Sequence, residues 1–487
     1  MTRHYLAFDL GAESGRAMLG TLSGGKLTLE ELHRFANTPV RVFSALYWDA
    51  LRLFHEICRG LQVAGRERRL TLSGIAVDTW GVDFALLGAN GALLENPRHY
   101  RDARNNGMVE RGFSMAPREE IFGQTGIQFM QINTLYQLLA MKTAGDPALD
   151  AARTLLMIPD LLNYWLTGVA KAERTIASTS QFYNPLEKRW ASELLERFGL
   201  PASILPELVD PGALLGPLLP SLAESAGLGA VPVYTTGCHD TASAVAAVPA
   251  EGAGDWCYIS SGTWSLMGAE LDAPVVNEHS LRMNMTNEIG AEGKTRLLKN
   301  IAGLWLLQEC RRQWASDGAE HSYEELAREA SAARPFTAVL DPDQFLEPGN
   351  MPQRIAAYCG KTGQGTPQSI GEFSRTILES LALRYRQVLE MLESLLGRRM
   401  AVIHIVGGGS RNTVLNQFVA DATGRTVVAG PTEATAAGNV LIQAIGARDV
   451  ADLAEARAIV RASFPVQRFE PGPRAEWDAA YANYLNL

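Results

Sequence analysis

The sequence predicts an α/β protein made of two duplicated halves, and three observations carry that reading. Near the N-terminus an apolar strand, a small-residue turn and a second strand follow one another as Tyr5-Leu6-Ala7-Phe8-Asp9-Leu10-Gly11-Ala12-Glu13-Ser14-Gly15-Arg16-Ala17-Met18. The pattern recurs about two hundred and fifty residues later as Trp256 to Ser261, Gly262-Thr263 and Trp264 to Leu271, as an internal duplication would. At 487 residues the chain also exceeds what one hydrophobic core supports. Halves spanning 1–245 and 246–487 are expected, with the Ala- and Gly-rich stretch 246–254 as the hinge.

Residues 4–34 read as three strands, with Gly24-Gly25 as the second turn. Asp49 opens an amphipathic helix carrying Leu51, Phe54, Ile57, Cys58 and Leu61 on one face. A strand pair is expected at Gly74 to Thr79 and Phe84 to Leu87. Between about 100 and 230 the pattern turns helical with irregular connections, as in an insertion that shapes a pocket. Residues 373–396 form a long helix with Leu381, Tyr385, Val388, Leu392 and Leu395 on one side, stopped by Gly397. A small-residue helix over 432–447 suits close packing beneath a nucleotide, and 474–487 is a terminal helix whose docking surface the sequence does not reveal.

Composition narrows the function. No apolar run reaches membrane-spanning length, and the sequence leads straight into a strand, which predicts no signal peptide. The net charge of −9, without a basic stripe, argues against nucleic acid as a partner. Cys58, Cys238, Cys257, Cys310 and Cys359 are odd in number and lack C-x-x-C spacing, which suits a reducing cytoplasm and offers no zinc site. Gly360-Lys361-Thr362 imitates the end of a P-loop, but Ile355 stands where its first glycine belongs.

Three turns have the chemistry of phosphate handling. In Gly237-Cys238-His239-Asp240-Thr241-Ala242, a β-branched run ends and an alanine-rich helix begins, so Asp240 and Thr241 sit where an N-cap belongs. A carboxylate there caps the helix, and it can also take a proton from a bound hydroxyl. The small residues between Asp9 and Arg16 let a backbone approach a phosphate and aim N–H groups at it. The strand Ala401 to Val406 runs into Gly407-Gly408-Gly409, and three consecutive glycines need a compensating close approach, such as a flat ligand or phosphate. His404 alternates with apolar neighbours and reads as a core histidine.

Taken in order, the Asp9 hairpin, His239-Asp240-Thr241, Ser261-Gly262-Thr263 and Gly407–Gly409 resemble the FGGY carbohydrate kinases over nearly the whole chain. The resemblance implies an actin-like fold, with two duplicated ribonuclease-H-like domains around a central cleft for ATP and sugar. Val77-Asp78-Thr79-Trp80-Gly81-Val82-Asp83-Phe84, Tyr100-Arg101-Asp102, Leu298-Lys299-Asn300-Ile301 and Gly303 to Gln308 resemble the branch whose ketose is L-rhamnulose. Asn133 to Leu138 replaces the Lys and Trp signature of many members, and that departure fits the same branch.

The resemblance implies phosphorylation of the C1 hydroxyl with Asp240 as general base, L-fuculose and L-xylulose being alternative substrates. It implies Mg²⁺ held by Asp9 through water, and a phosphate cradle of Ala12, Glu13, Ser14, Gly15 and Arg16. Glu13 departs from the small residue expected there and is assigned to solvent. Thr263, Gln308, Gly407, Gly408 and Gly409 would contact ATP, while Gly81, His239, Thr241 and Asn300 would line the sugar site. Trp80 serves as an apolar wall or as core. A monomer or homodimer whose partners are sugar and ATP is implied, and the rival from another class is an actin-like ATP-dependent scaffold or sugar sensor. Intact Asp9, Arg16 and Asp240 weigh against that rival.

Overall fold

The computed structural model describes residues 2–252 and 254–487; Met1, and Ala253 of the expected hinge, lie outside the described residues. The chain forms two compact units. One comprises Met1–Ala247, Glu270–Leu297 and Ala434–Ser463, and the other Val248–Ala269, Leu298–Glu433 and Phe464–Leu487.

In the first unit β1 (Arg3–Leu10), β2 (Ser14–Ser23) and β3 (Lys26–Ala36) form an antiparallel meander. Gly24 and Gly25 turn between β2 and β3 with φ of 58° and 71°, a conformation that glycine adopts without steric cost. Parallel to β1 runs β4 (Gly74–Thr79), and β5 (Leu214–Pro217) and β6 (Pro232–Tyr234) complete the order β5-β6-β4-β1-β2-β3. The central strands are apolar without alternation because both their faces are buried.

The helix Ala50–Gln62 begins where Asp49 accepts a hydrogen bond from the Arg52 amide at 3.1 Å. Its buried face is Ala50, Leu53, Ile57, Gly60 and Leu61, whereas Leu51 is 60% exposed, contrary to the expected face. Gly60 sets that orientation: a Cβ there would stand 2.7 Å from the Phe8 ring, so the helix presses its bare backbone onto β1. Both strands of the expected 74–87 pair exist, but they do not pair with each other. β4 is flanked by β1 and β6, and Phe84–Leu87 instead pairs with Thr154–Met157. The intervening turn, with Val82 at φ 68°, carries the chain away from the sheet. The region 100–230 is helical with short strands of two to four residues, around a core that includes Ile121, Leu135, Leu139, Ile176, Phe182 and Phe198.

The second unit repeats the design. β7 (Trp256–Ser261) has an antiparallel neighbour, β8 (Ser265–Leu271), on one side and a parallel one, β9 (Val402–Val406), on the other. β10 (Thr426–Ala429) lies parallel to β9, and β11 (Gln467–Phe469) closes the edge antiparallel to β10. The sequence β8-β7-β9-β10-β11 thus matches β2-β1-β4-β6-β5 strand for strand, and the duplication is visible in topology. Feeding β9 is the helix Ile370–Leu396, capped by Ser369 and stopped by Gly397 at φ 62°. The terminal helix Ala475–Tyr484 docks on it: Tyr481 donates to Glu390 at 2.6 Å and Arg386 lies 4.1 Å over the Tyr481 ring. Trp477 meets Phe336 edge-on at 5.0 Å.

The small-residue helix, observed as Ala434–Gly446, belongs to the first unit and packs on Asp240–Ala246. A Cβ at Gly438 would overlap the Ser243 carbonyl, so helix-to-helix contact accounts for that glycine. Gly438→Ala is therefore expected to destabilise the protein by about 1–3 kcal/mol, the usual cost of overpacking. Thermal unfolding checks this, and an unchanged midpoint would mean the two helices separate freely.

Candidate active site

Strand register assembles the first unit's site. Asp9, at the end of β1, faces Arg16 on β2 and Asp78 on β4 as direct register partners. Arg16 Nη2 lies 2.5 Å from Asp9 Oδ2. Asp78 is fully buried and accepts from Asn439 Nδ2 at 2.5 Å. Burial, then the negative charge of Asp9, pushes the Asp78 carboxyl well above the usual range, so it tends to keep its proton.

Asp240 joins this carboxylate pair from the segment that follows β6. The Thr79 amide donates to the Cys238 carbonyl at 2.9 Å, and Thr79 bridges His239 in parallel register. The chain therefore stays extended through His239, which takes the N-cap position. Asp240 is the first helical residue, one place later than expected, and Thr241 follows it into the helix. The Thr241 hydroxyl donates to Asp240 Oδ1 at 3.0 Å. Asp240 keeps 30% of its side-chain surface exposed while protein surrounds it on the other sides. That burial raises its pKa; His239 opposes the rise and Asp9 adds to it.

A buried carboxylate fixes the turn before Asp240. Glu173 accepts from the Thr175 amide at 2.8 Å, from its hydroxyl at 2.5 Å and from the Cys238 amide at 3.2 Å. The same Thr175 hydroxyl accepts from the His239 amide at 3.1 Å. Gly81 lies in the turn after β4, against Thr179, where a Cβ would stand at 3.2 Å. Val82, strained at positive φ, is held by three partners: its amide donates to Thr179, and its carbonyl accepts from Thr134 and Gln137. Asp83 Oδ2 accepts from the indoles of Trp48 at 2.5 Å and Trp80 at 2.9 Å. Trp80 is thus a buried, anchored ring. Glu13 is exposed, as assigned, and Gly15 is buried because its missing Cβ admits the Phe35 ring.

The second unit gathers its own set at the ends of β7 and β9. Glycines 407 and 409 press onto Ser261 of β7, and a Cβ at Gly407 would stand 3.1 Å from its carbonyl oxygen. Two of the three glycines are thus explained by strand contact rather than by a ligand. Gly408 is exposed, with open space where its Cβ would be. The Gly262 and Thr263 carbonyls accept from the amides of Leu304 and Trp305, which start the helix Trp305–Ser316 beside that turn. From this helix Gln308 presents a buried Oε1 without a hydrogen-bond partner among the described residues. Asn300 is half-buried near the end of the strand Thr295–Ile301. His404 is buried, edge-on to Trp256 at 5.9 Å.

Comparison with known proteins agrees with this architecture. Residues 4–247 match the N-terminal domain model of the FGGY family of carbohydrate kinases, and 257–447 match the C-terminal one. The chain belongs to the FGGY family. It is 46% identical over 488 aligned positions to the rhamnulokinase of Bacteroides thetaiotaomicron, covering 100% of this chain and 99% of that one. It is 42% identical to the rhamnulokinase of Enterococcus faecalis, with 97% and 95% covered. Among solved structures, gluconate kinase from Lactobacillus acidophilus shares the fold with a TM-score of 0.82 at 14% identity, covering 100% of this chain and 97% of that one. Plasmodium falciparum glycerol kinase with ADP does so at 0.79 and 14%, covering 100% and 98%. The chain is therefore a carbohydrate kinase, with ATP as the substrate its family implies. Among the described residues no helix is long and apolar enough to cross a membrane.

Sequence reasoning missed Asp78, Glu173, and the buried pair of Glu288 and Arg296, which meets the His239 imidazole. Asp78 had a usable signal, since it ends an apolar strand just as Asp9 does. The other three carry none, because the contacts that tie them to the Asp240 turn, Glu173 with Cys238 and the Glu288–Arg296 pair with His239, join distant parts of the chain.

Burial pushes both Asp83 and Glu173 up to about 7, partly offset by the hydrogen bonds each accepts. The native protein thus holds protons between about pH 4 and 7 that the unfolded chain releases, so stability should fall as pH rises through that window. Thermal midpoints measured from pH 5 to 8 check this. Asp83→Asn should make the decline shallower, and an unchanged slope would show that Asp83 is ionised throughout.

Proposed function

We propose that the chain transfers the γ-phosphoryl group of ATP to the C1 hydroxyl of L-rhamnulose, with Asp240 as general base. The observation that carries the base is Asp240 itself, a partly exposed carboxylate beside His239 whose pKa burial and the charge of Asp9 raise. A stronger base takes a hydroxyl proton more readily near neutral pH. The substrate rests on full-length identity with rhamnulokinases. A cytoplasmic setting fits five cysteines that are all free.

The donor set fits Mg²⁺, which is usually held by one or two carboxylates, with water and phosphates completing the shell. Asp9 would hold it through water, beside the Arg16 guanidinium, and relief of crowding among Asp9, Asp78 and Asp240 favours such binding. When bound, the cation neutralises charge on the transferring phosphoryl oxygens. Arg16 would do the same from β2, beside the Ala12–Gly15 turn. Gln308 Oε1 would find a donor on the nucleotide, and exposed Gly408 would allow it a close approach, while Thr263 would contact phosphate. Gly81, Thr241, His239 and Asn300 would orient the sugar. Phosphoryl transfer gains most from such positioning and charge stabilisation, and no residue of the site is assigned a covalent role.

Four measurements test this reading. Asp240→Asn should keep the fold and ATP binding while lowering turnover roughly 10²–10⁴-fold, the range for loss of a general base. In wild type, kcat should fall on the acid side at a pH above the ordinary aspartate range, because Asp240 must be ionised. Asn300→Ala should raise the KM for ketose by the equivalent of about 1–3 kcal/mol, the cost of an unpaired buried polar group, and leave the KM for ATP little changed. ADP release across L-rhamnulose, L-fuculose and L-xylulose decides the substrate, and a preference for either of the latter would overturn it.

A further inference from the structure

His239 lies between two carboxylates. Its Nε2 is 3.5 Å from Asp240 Oδ1, and its Nδ1 is 3.0 Å from Glu288 Oε2. Glu288 and Arg296 are buried, and Arg296 Nη2 donates to Glu288 Oε2 at 2.9 Å while Nε donates to the Ile289 carbonyl at 3.1 Å. Arg296 Nη2 also stands 3.1 Å from His239 Nδ1. Burial raises the Glu288 carboxyl, but the charge of Arg296 and the contact with His239 outweigh it, leaving the group below its ordinary value and ionised. Of the two carboxylates, Glu288 Oε2 is the nearer at 3.0 Å, whereas Asp240 Oδ1 stands at 3.5 Å and already accepts from Thr241. The single proton of a neutral imidazole is therefore drawn to Nδ1, with Arg296 Nη2 bonded to the same Glu288 oxygen.

We propose that Glu288, held by Arg296, is a positioning residue that fixes His239 with its proton on Nδ1, presenting Nε2 as an acceptor beside Asp240. This rests on the reading of Asp240 as base. Two acceptors then face the sugar. Asp240 takes the hydrogen of the reacting hydroxyl, and Nε2 accepts from a second hydroxyl of the same ketose. The pairing discriminates against sugars that lack the second hydroxyl, because Nε2 would be left unsatisfied.

A double-mutant cycle on kcat/KM for the ketose tests the coupling. Glu288→Gln should lower it roughly tenfold or more in the wild-type background, and less than about twofold once His239→Asn is present. Equal losses in both backgrounds would overturn the proposal. Ring ¹⁵N spectra of histidine-labelled full-length wild type, with His239→Asn identifying the signal, should show protonated Nδ1 and bare Nε2; the opposite tautomer overturns the proposal even if Glu288→Gln fails to fold. Asp240→Asn keeps the two readings apart. Normal turnover in that variant removes the base assignment, whereas a dead Asp240→Asn with additive Glu288 and His239 effects removes only the positioning role.

Discussion

The register of β1 against its two neighbours governs the chemistry of the first unit. Asp9 pairs across the antiparallel side with Arg16 and across the parallel side with Asp78. One strand end therefore holds a cation and two carboxylates, and the chain that bridges Thr79 adds Asp240. Like charges at such spacing resist simultaneous ionisation, so the burden falls on the most buried member, Asp78. A one-residue slip of β1 would send Asp9 to the opposite face and dissolve the arrangement. The register is in turn protected by the near-complete burial of β1 and β4.

Close backbone approach is the second constraint. Gly60 lies on Phe8, Gly438 on Ser243, and Gly407 and Gly409 on Ser261. Each contact joins an element that carries a candidate site residue to its support. The glycines near the ends of β7 and β9 thus do for the second unit what strand register does for the first: they hold a turn close to a strand end. Only Gly408 among the three remains open, so the nucleotide contact proposed for this motif narrows to that residue.

Much of this was legible from sequence because it depends on local signals. Strand–turn–strand patterning exposed the duplicated hairpins, and Asp49, Gly397 and the Gly24-Gly25 turn announced themselves by residue type. The buried face of Ala50–Gln62 was misjudged because Gly60 packs through backbone, which periodicity of apolar side chains does not register. The pairing partner of Phe84–Leu87 was misjudged because Thr154–Met157 lies about seventy residues away and adjacency in sequence was the only guide. For the same reason Asp240 was singled out while Glu173 and Glu288, which reach its turn from elsewhere in the chain, were not.

These distant carboxylates show how the turn that carries Asp240 is held in place. Glu173 holds the Cys238 amide directly and the His239 amide through Thr175, so the backbone before Asp240 is set from one side. Thr241 sets the carboxylate itself, and Glu288 with Arg296 contacts the neighbouring imidazole. Buried polar networks of this kind are costly when any member is left unsatisfied, and when complete they select one geometry. In a reaction whose barrier is lowered mainly by placement of charge, that selectivity is itself the contribution of the fold to rate.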